Sequence, residues 1–160
     1  MKRILVACLV AGQALAAGCA AETQYIYGTK VVDSQENRDI IAVCEQYRTA
    51  VEKKDTATLL GLASPKYWED GGTPTGSDDY GYDGLRQVLE TRFARSDGIR
   101  YSMRYMDVKH LTGHRAAVAV MIDATYSIST QQGARRLDMR DQNQMVLEYD
   151  GRRWLFLSGM

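Results

Sequence analysis

The chain has 160 residues, 45% of them hydrophobic and 25% charged. That is enough apolar content to bury one core, so the composition argues for a single globular domain and against disorder. Twenty Lys/Arg balance twenty Asp/Glu, which argues against a nucleic-acid binder, and the body of the chain has no apolar run long enough to span a bilayer.

The N-terminus opens on Met1-Lys2-Arg3 and continues without a charge through residues 4–17. A positive start followed by a short apolar run is the pattern of a signal segment. The run ends in Leu15-Ala16-Ala17-Gly18-Cys19, which resembles the lipobox of bacterial lipoproteins, with Ala16 where leucine is favoured. The resemblance implies cleavage before Cys19 and acylation of its thiol and new amine, giving a stable membrane anchor. An ordinary secreted protein with an incidental Cys19 is the alternative. Ala20 follows the cysteine in place of an aspartate retention signal, so in a Gram-negative cell the expected location is the outer membrane, facing the periplasm. Removing residues 1–18 leaves Cys19 and Cys44. With Cys19 acylated, Cys44 has no intrachain partner and reads as a buried small hydrophobe.

The expected layout is therefore a signal peptide over 1–18, a lipidated tether over 19–33 and a domain over 34–160. Ser34 has the side chain of a helix N-cap, with Glu36 and Asp39 in the first turn. Ile40, Val43, Cys44, Tyr47, Ala50 and Val51 recur at helical spacing as one apolar stripe. A second short helix is expected from Asp55, and Ser64-Pro65 starts a helical turn. The Gly-, Pro- and Asp-rich stretch from Glu69 to Gly84 reads as a long loop of the kind that often carries function. A third helix carries Leu85, Val88, Leu89 and Phe93, and Gly98 is expected to end it.

From Ile99 the period changes to two, which predicts antiparallel strands. Ile99, Tyr101, Met103 and Tyr105 alternate with polar residues, and Thr112-Gly113 turns the chain. Val118, Val120, Ile122 and Tyr126 share one side of the next strand, and Leu137, Met139, Met145, Leu147 and Tyr149 share one side of the third. Asp150-Gly151 signals a two-residue hairpin into the last strand.

Three helices followed by four hairpin-linked strands is α+β. The stretches "YRTAVEKKDTATLLGLASPKYWED", "YDGLRQVLETRF" and "DGRRWLFLSGM" resemble the NTF2-like superfamily, of the SnoaL and ketosteroid-isomerase-like kind, over about residues 34–159. The resemblance implies a cone: three N-terminal helices packed on a curved antiparallel sheet of four or more strands, with a pocket between them. Its members include isomerases, dehydratases, cyclases and non-enzymatic binding domains, so the fold does not choose a reaction.

Tyr47 is similar to the tyrosine that serves ketosteroid isomerases as oxyanion donor, and Asp70 lies near the position of their base. The matching position is Gly71, one residue on. Tyr47 as a core tyrosine and Asp70 as a solvated loop rim are the alternatives. Asp123 interrupts an apolar strand and is a further candidate base, although alternation favours the outer face of the sheet. Trp68, Tyr101, Asp141, Asn143 and Trp154 are expected to line the pocket. His110 and His114 have no third ligand beside them, so no metal and no cofactor is expected. Residues 19–85 hold six basic against twelve acidic residues, and 86–160 hold twelve against eight. Arg135, Arg136, Arg140, Arg152 and Arg153 concentrate the positive charge on adjacent strands.

Two functions follow from these residues. The first is an envelope-anchored, non-catalytic domain that binds a small apolar ligand or an envelope protein, and that can form a homodimer through its sheet. The second is a small cofactor-free isomerase, dehydratase or cyclase, with Tyr47 as donor and Asp70 or Asp123 as base.

Overall fold

The structure is a computed structural model and describes residues 22–160. The signal segment over 1–18 and Cys19 lie outside the described residues. The segment read as a tether packs from Gln24 onward: Tyr25 and Val32 bridge as a small hairpin, Val31 is buried, and the Lys30 N–H donates to the Tyr105 carbonyl at 3.1 Å.

Helix α1 runs Gln35–Glu52. Its N-cap is Ser34, whose hydroxyl accepts from the Asn37 N–H and satisfies one of the unpaired donors of the first turn. Ile40, Ile41, Cys44, Tyr47 and Ala50 form its buried face. Helix α2, Thr56–Leu62, is capped by Asp55. The chain then turns at Pro65-Lys66 rather than forming a helical turn, and Tyr67 N–H closes on the Ser64 carbonyl. The loop expected from Glu69 to Gly84 contains two short strands, β1 (Trp68–Glu69) and β2 (Tyr80–Gly81), paired with each other. Helix α3, Tyr82–Ala94, ends at Arg95. Gly98 does not cap it. With φ +59 it instead sits at the register shift that opens the next strand, where a left-handed residue is needed to bulge the ladder.

Four strands follow as a meander: β3 (Ser96–Leu111), β4 (Arg115–Thr130), β5 (Gly133–Tyr149) and β6 (Trp154–Ser158). Asp150 to Arg153 join β5 to β6 as a hairpin: the Asp150 N–H closes on the Arg153 carbonyl around Gly151-Arg152, and the Asp150 carboxylate takes the Arg152 and Arg153 N–H groups. Met103, Tyr105, Val118, Val120, Ile122, Met145 and Leu147 turn to the helices and join their buried faces in one core. The sheet is thus a curved wall closed by three helices, the α+β cone that the sequence implies.

Both outer strands are guarded at their edges. At β3, the Tyr101 N–H donates to Glu52 at 2.9 Å and its carbonyl accepts from Arg48, which is itself held by Glu45 and Glu52. At β6, the Ser64 N–H donates to the Phe156 carbonyl. Ser64 also donates from its hydroxyl to Glu148 at 2.6 Å, and Lys66 bonds the other carboxylate oxygen at 2.9 Å. These bonds hold the nearly buried Glu148 carboxyl below its ordinary range, Ser64 contributing most. A folded-state pKa below the unfolded value of about 4.3 stabilises the fold above that pH and is lost as pH falls through the folded value. Denaturant midpoints measured from pH 7 down to 3 are therefore expected to drop on the acid side. Glu148→Gln is expected to lower the midpoint at pH 7 and to flatten the acid limb.

Candidate functional site

The cone interior is built from tyrosines. Tyr47 comes from α1, Tyr67 from just before β1, Tyr80 from β2 and Tyr101 from β3. Tyr47 is only 5% exposed. Its ring lies edge-on to Tyr101 at 6.0 Å between centroids and against Phe156 at 5.4 Å. Burial, and then the neighbouring Tyr101 hydroxyl, push the Tyr47 phenol well above its ordinary pKa. Such packing is the geometry of a core aromatic pair.

Tyr67, Glu69 and Asn143 are bonded together through Gly159 and Met160. Alternation turns Tyr67 and Glu69 inward and Trp68 outward. The Tyr67 hydroxyl donates to Glu69 Oε2 at 2.6 Å, and the Gly159 N–H donates to the same oxygen at 2.7 Å. Tyr67 also accepts from the Met160 N–H, and Asn143 donates from Nδ2 to the Gly159 carbonyl at 3.0 Å. Burial, and then the bond to Glu69, raise the Tyr67 pKa. At the mouth, Glu69, Asp70, Gly71, Asp78, Tyr80, Arg92 and Met160 enclose about 280 Å³, below the roughly 300–1,000 Å³ of ordinary ligand pockets. The Arg92 charge reaches Tyr47, Tyr80 and Tyr101 and lowers the pKa of each against the larger effect of burial.

The structure does not bring the candidate bases to Tyr47. Asp70 is exposed in the β1–β2 loop and accepts from the Gly72 N–H. At Gly71, the position expected from the sequence to align with the base of ketosteroid isomerases, an added Cβ would fall 2.2 Å from Asp78 Cγ, so Asp78 fills that space. Asp123 lies on the outer face of β4, bonded to Arg104 at 3.0 Å and to Arg140 at 2.5 Å. These bonds, that to Arg140 first, lower its pKa. Asp123 is thus a fixed partner of two guanidiniums, outside the cone.

The other expected pocket residues divide. Tyr101 and Asn143 face the interior, and Asp141, opposite Ile122, shares that face and raises the Tyr101 pKa by its charge. Trp68 is not a pocket wall: it is 56% exposed, because strand alternation spends the inward positions on Tyr67 and Glu69. Trp154 is buried at the other end of the cone. There it lines a groove of about 710 Å³ with Gln35, Glu36, Asp39, His114, Tyr149 and Asp150. Sequence reasoning missed two residues, Glu69 and Arg92. The alternation of Tyr67 with Glu69 was the available signal for the first; nothing in the spacing of α3 marks the second.

Cys44 is buried and its thiol is pushed up to about 12 by burial, so it is inert as a nucleophile. Among the described residues no group of three His, Cys, Asp or Glu side chains could hold a metal ion, and no helix is long and apolar enough to cross a membrane.

No family model matches the chain, and no curated protein matches it. Solved structures do. A ketosteroid isomerase-like protein from Erwinia carotovora atroseptica superposes with a TM-score of 0.66 at 18% identity, over 79% of this chain and 95% of that one. A protein described as a scytalone dehydratase, from Novosphingobium aromaticivorans, gives 0.67 at 14% over 78% and 80%. One described as a dehydratase from the NTF2-like family, from Streptomyces avermitilis, gives 0.62 at 14% over 78% and 93%. At these identities the likeness is one of fold: the domain has the NTF2-like architecture, and its chemistry rests on its own residues.

Proposed function

We propose that this chain is an envelope lipoprotein, anchored through Cys19, whose NTF2-like domain binds rather than catalyses. The observation that carries the non-catalytic reading is the state of Tyr47. An oxyanion donor needs room for substrate and a base within reach of it. Tyr47 is instead packed against Tyr101 and Phe156, with Asp70 in the exposed loop and Asp123 on the opposite face of the sheet.

Binding then falls to the surface grooves. The groove between the start of α1 and the β5–β6 loop has an aromatic wall, Tyr149 and Trp154, and a rim of Glu36, Asp39 and Asp150. It suits an apolar ligand or an apolar side chain of an envelope protein. The lipid anchor would hold this groove at the membrane surface, facing the periplasm in a Gram-negative cell.

The isomerase, dehydratase or cyclase reading keeps one specific support, which is that Glu69 and Arg92 share the mouth cavity. There Glu69 would be the base and Arg92 the electrostatic partner, and Tyr47 would have no direct part.

The anchor has its own test. Protein extracted from membranes is expected to give an N-terminal peptide starting at Cys19 and carrying two or three acyl chains. Cys19→Ser is expected to move the protein out of the membrane fraction. An unmodified N-terminus beyond Cys19 in soluble material would refute the anchor.

A further inference from the structure

Exposed apolar side chains gather on the small hairpin that precedes α1. Of the seven large apolar side chains that the described residues expose, three are Tyr25, Tyr27 and Val32. Scattered singly they would mean little, but three so close together make a patch. Tyr27 is fully exposed, Tyr25 is 56% exposed and Val32 is 49% exposed.

The hairpin behind them is firmly built. The Asp33 N–H donates to the Gln24 carbonyl at 2.8 Å, and the Ile26 N–H donates to the Val31 carbonyl at 2.9 Å. At the tip, the Thr29 N–H and hydroxyl both donate to the Ile26 carbonyl, and Gly28, at φ +75, takes the left-handed position of the turn. Alternation points Ile26 and Val31 to the core and leaves Tyr25, Tyr27, Lys30 and Val32 outside. The rings are held out on a fixed turn, so engaging them costs little ordering entropy.

We propose that this hairpin seats in the headgroup layer of a phospholipid bilayer, as a second membrane contact beside the lipid at Cys19; the proposal rests on that anchor. Cys19 stands six residues before Tyr25, and six residues reach at most about 22 Å. The anchor thus keeps the patch within a short reach of the lipid surface. Chemistry selects lipid over protein. Tyrosine joins an apolar ring to a polar hydroxyl and favours the membrane–water interface, and Lys30 on the same face can meet lipid phosphates.

A second contact fixes an orientation that a tether alone does not. The lipid holds the chain at the surface, and the hairpin sets which side of the cone faces it. The Lys30 N–H ties the hairpin to Tyr105 of β3, an outer strand of the sheet. The β3 side therefore turns to the bilayer and the β6 side turns away. The groove beside Tyr149 and Trp154, at the β5–β6 loop, then stays open to solvent.

The test uses residues 19–160, the chain that cleavage before Cys19 would leave, which contains the whole described core. Cys44 is buried and inert, so N-tetradecylmaleimide couples one alkyl chain to Cys19 alone. A single chain of this length binds bilayers only marginally and reversibly, which makes a second contact measurable. Partition onto phosphatidylethanolamine–phosphatidylglycerol vesicles is read by sedimentation. Tyr25→Ser with Tyr27→Ser is expected to lower the partition coefficient about tenfold, and Tyr25→Trp with Tyr27→Trp to keep it at or above the wild-type value. Trp68→Ser, which removes a ring as exposed as Tyr25, is expected to leave it unchanged. A far-UV spectrum of each variant confirms that it is folded. A folded serine double variant that binds as the wild type does, or a loss matched by Trp68→Ser, overturns the proposal. The alkyl chain is attached in the tube, so this outcome does not depend on whether cells acylate Cys19, which the N-terminal peptide decides.

Discussion

Phe156→Ala is expected to destabilise the domain by about 3–5 kcal/mol, the usual range for truncating a buried phenylalanine. Phe156 is fully buried and stands where three parts of the chain meet. Its ring packs on Tyr47 of α1, its partner on β5 is Leu147, and Ala63 at the end of α2 bridges to it. The backbone of the same residue accepts the Ser64 N–H that closes the β6 edge. A domain of this size has only about 5–15 kcal/mol of net stability, so the variant would lose a large share of it. Urea unfolding read by fluorescence checks this. A loss under about 1 kcal/mol would mean that the interior relaxes into the space, which a tightly packed cone does not allow. The same variant removes one wall from Tyr47, so its phenol should titrate closer to the ordinary value near 10.

Gly159→Ala is the second large effect. Gly159 has φ +86, and a Cβ there would stand 2.5 Å from the Gln144 carbonyl oxygen and 2.9 Å from Met145 Cα. Both are backbone atoms of a paired strand and cannot swing aside. Left-handed strain costs about 1–3 kcal/mol, and overpacking adds about 1–3 kcal/mol. The segment can relieve the clash only by leaving β5, which breaks the Gly159 bonds to Glu69 and Asn143. The midpoint loss in urea should then exceed that of Gly113→Ala, where φ is +72 but nothing lies within 4 Å of the added Cβ. Equal losses at the two positions would show that strain alone matters and that the close approach does not.

Those two residues also mark what the sequence could and could not disclose. The first helix was legible because its signals are local: the Ser34 cap and the stripe through Ile40, Cys44 and Tyr47 depend on neighbours within a turn or two. The inner faces of β3, β4 and β5 were legible for the same reason, and alternation placed Asp123 outside correctly. The misreadings share a cause, which is pairing between distant segments. Gly98 looks like a helix terminator until β4 pairs across it. Glu69 looks like a loop carboxylate until β1 pairs with β2 and Gly159 reaches it from ninety residues away. Trp68 looks like a pocket wall because tryptophan is usually shielded; the same pairing turns it out.

On the proposed reading, Tyr47 shows how a motif can match and its chemistry differ. The tyrosine stands where an oxyanion donor would, but catalysis needs space and a base that one sequence position does not encode. Here Tyr101 and Phe156 take the space, and Gly71 stands where the base would be, with Asp78 against it.

Proton exchange distinguishes a cone interior that is packed core from one that is a reaction chamber. A panel of enolisable ketones would be incubated in D₂O with the wild type, Tyr47→Phe and Glu69→Gln, and α-deuteration followed by NMR. Positioned acid–base groups accelerate such proton transfer about 10²–10⁴-fold. With a packed interior, all three proteins are expected to leave exchange at the buffer rate. Exchange accelerated by the wild type and lost in either variant would contradict it.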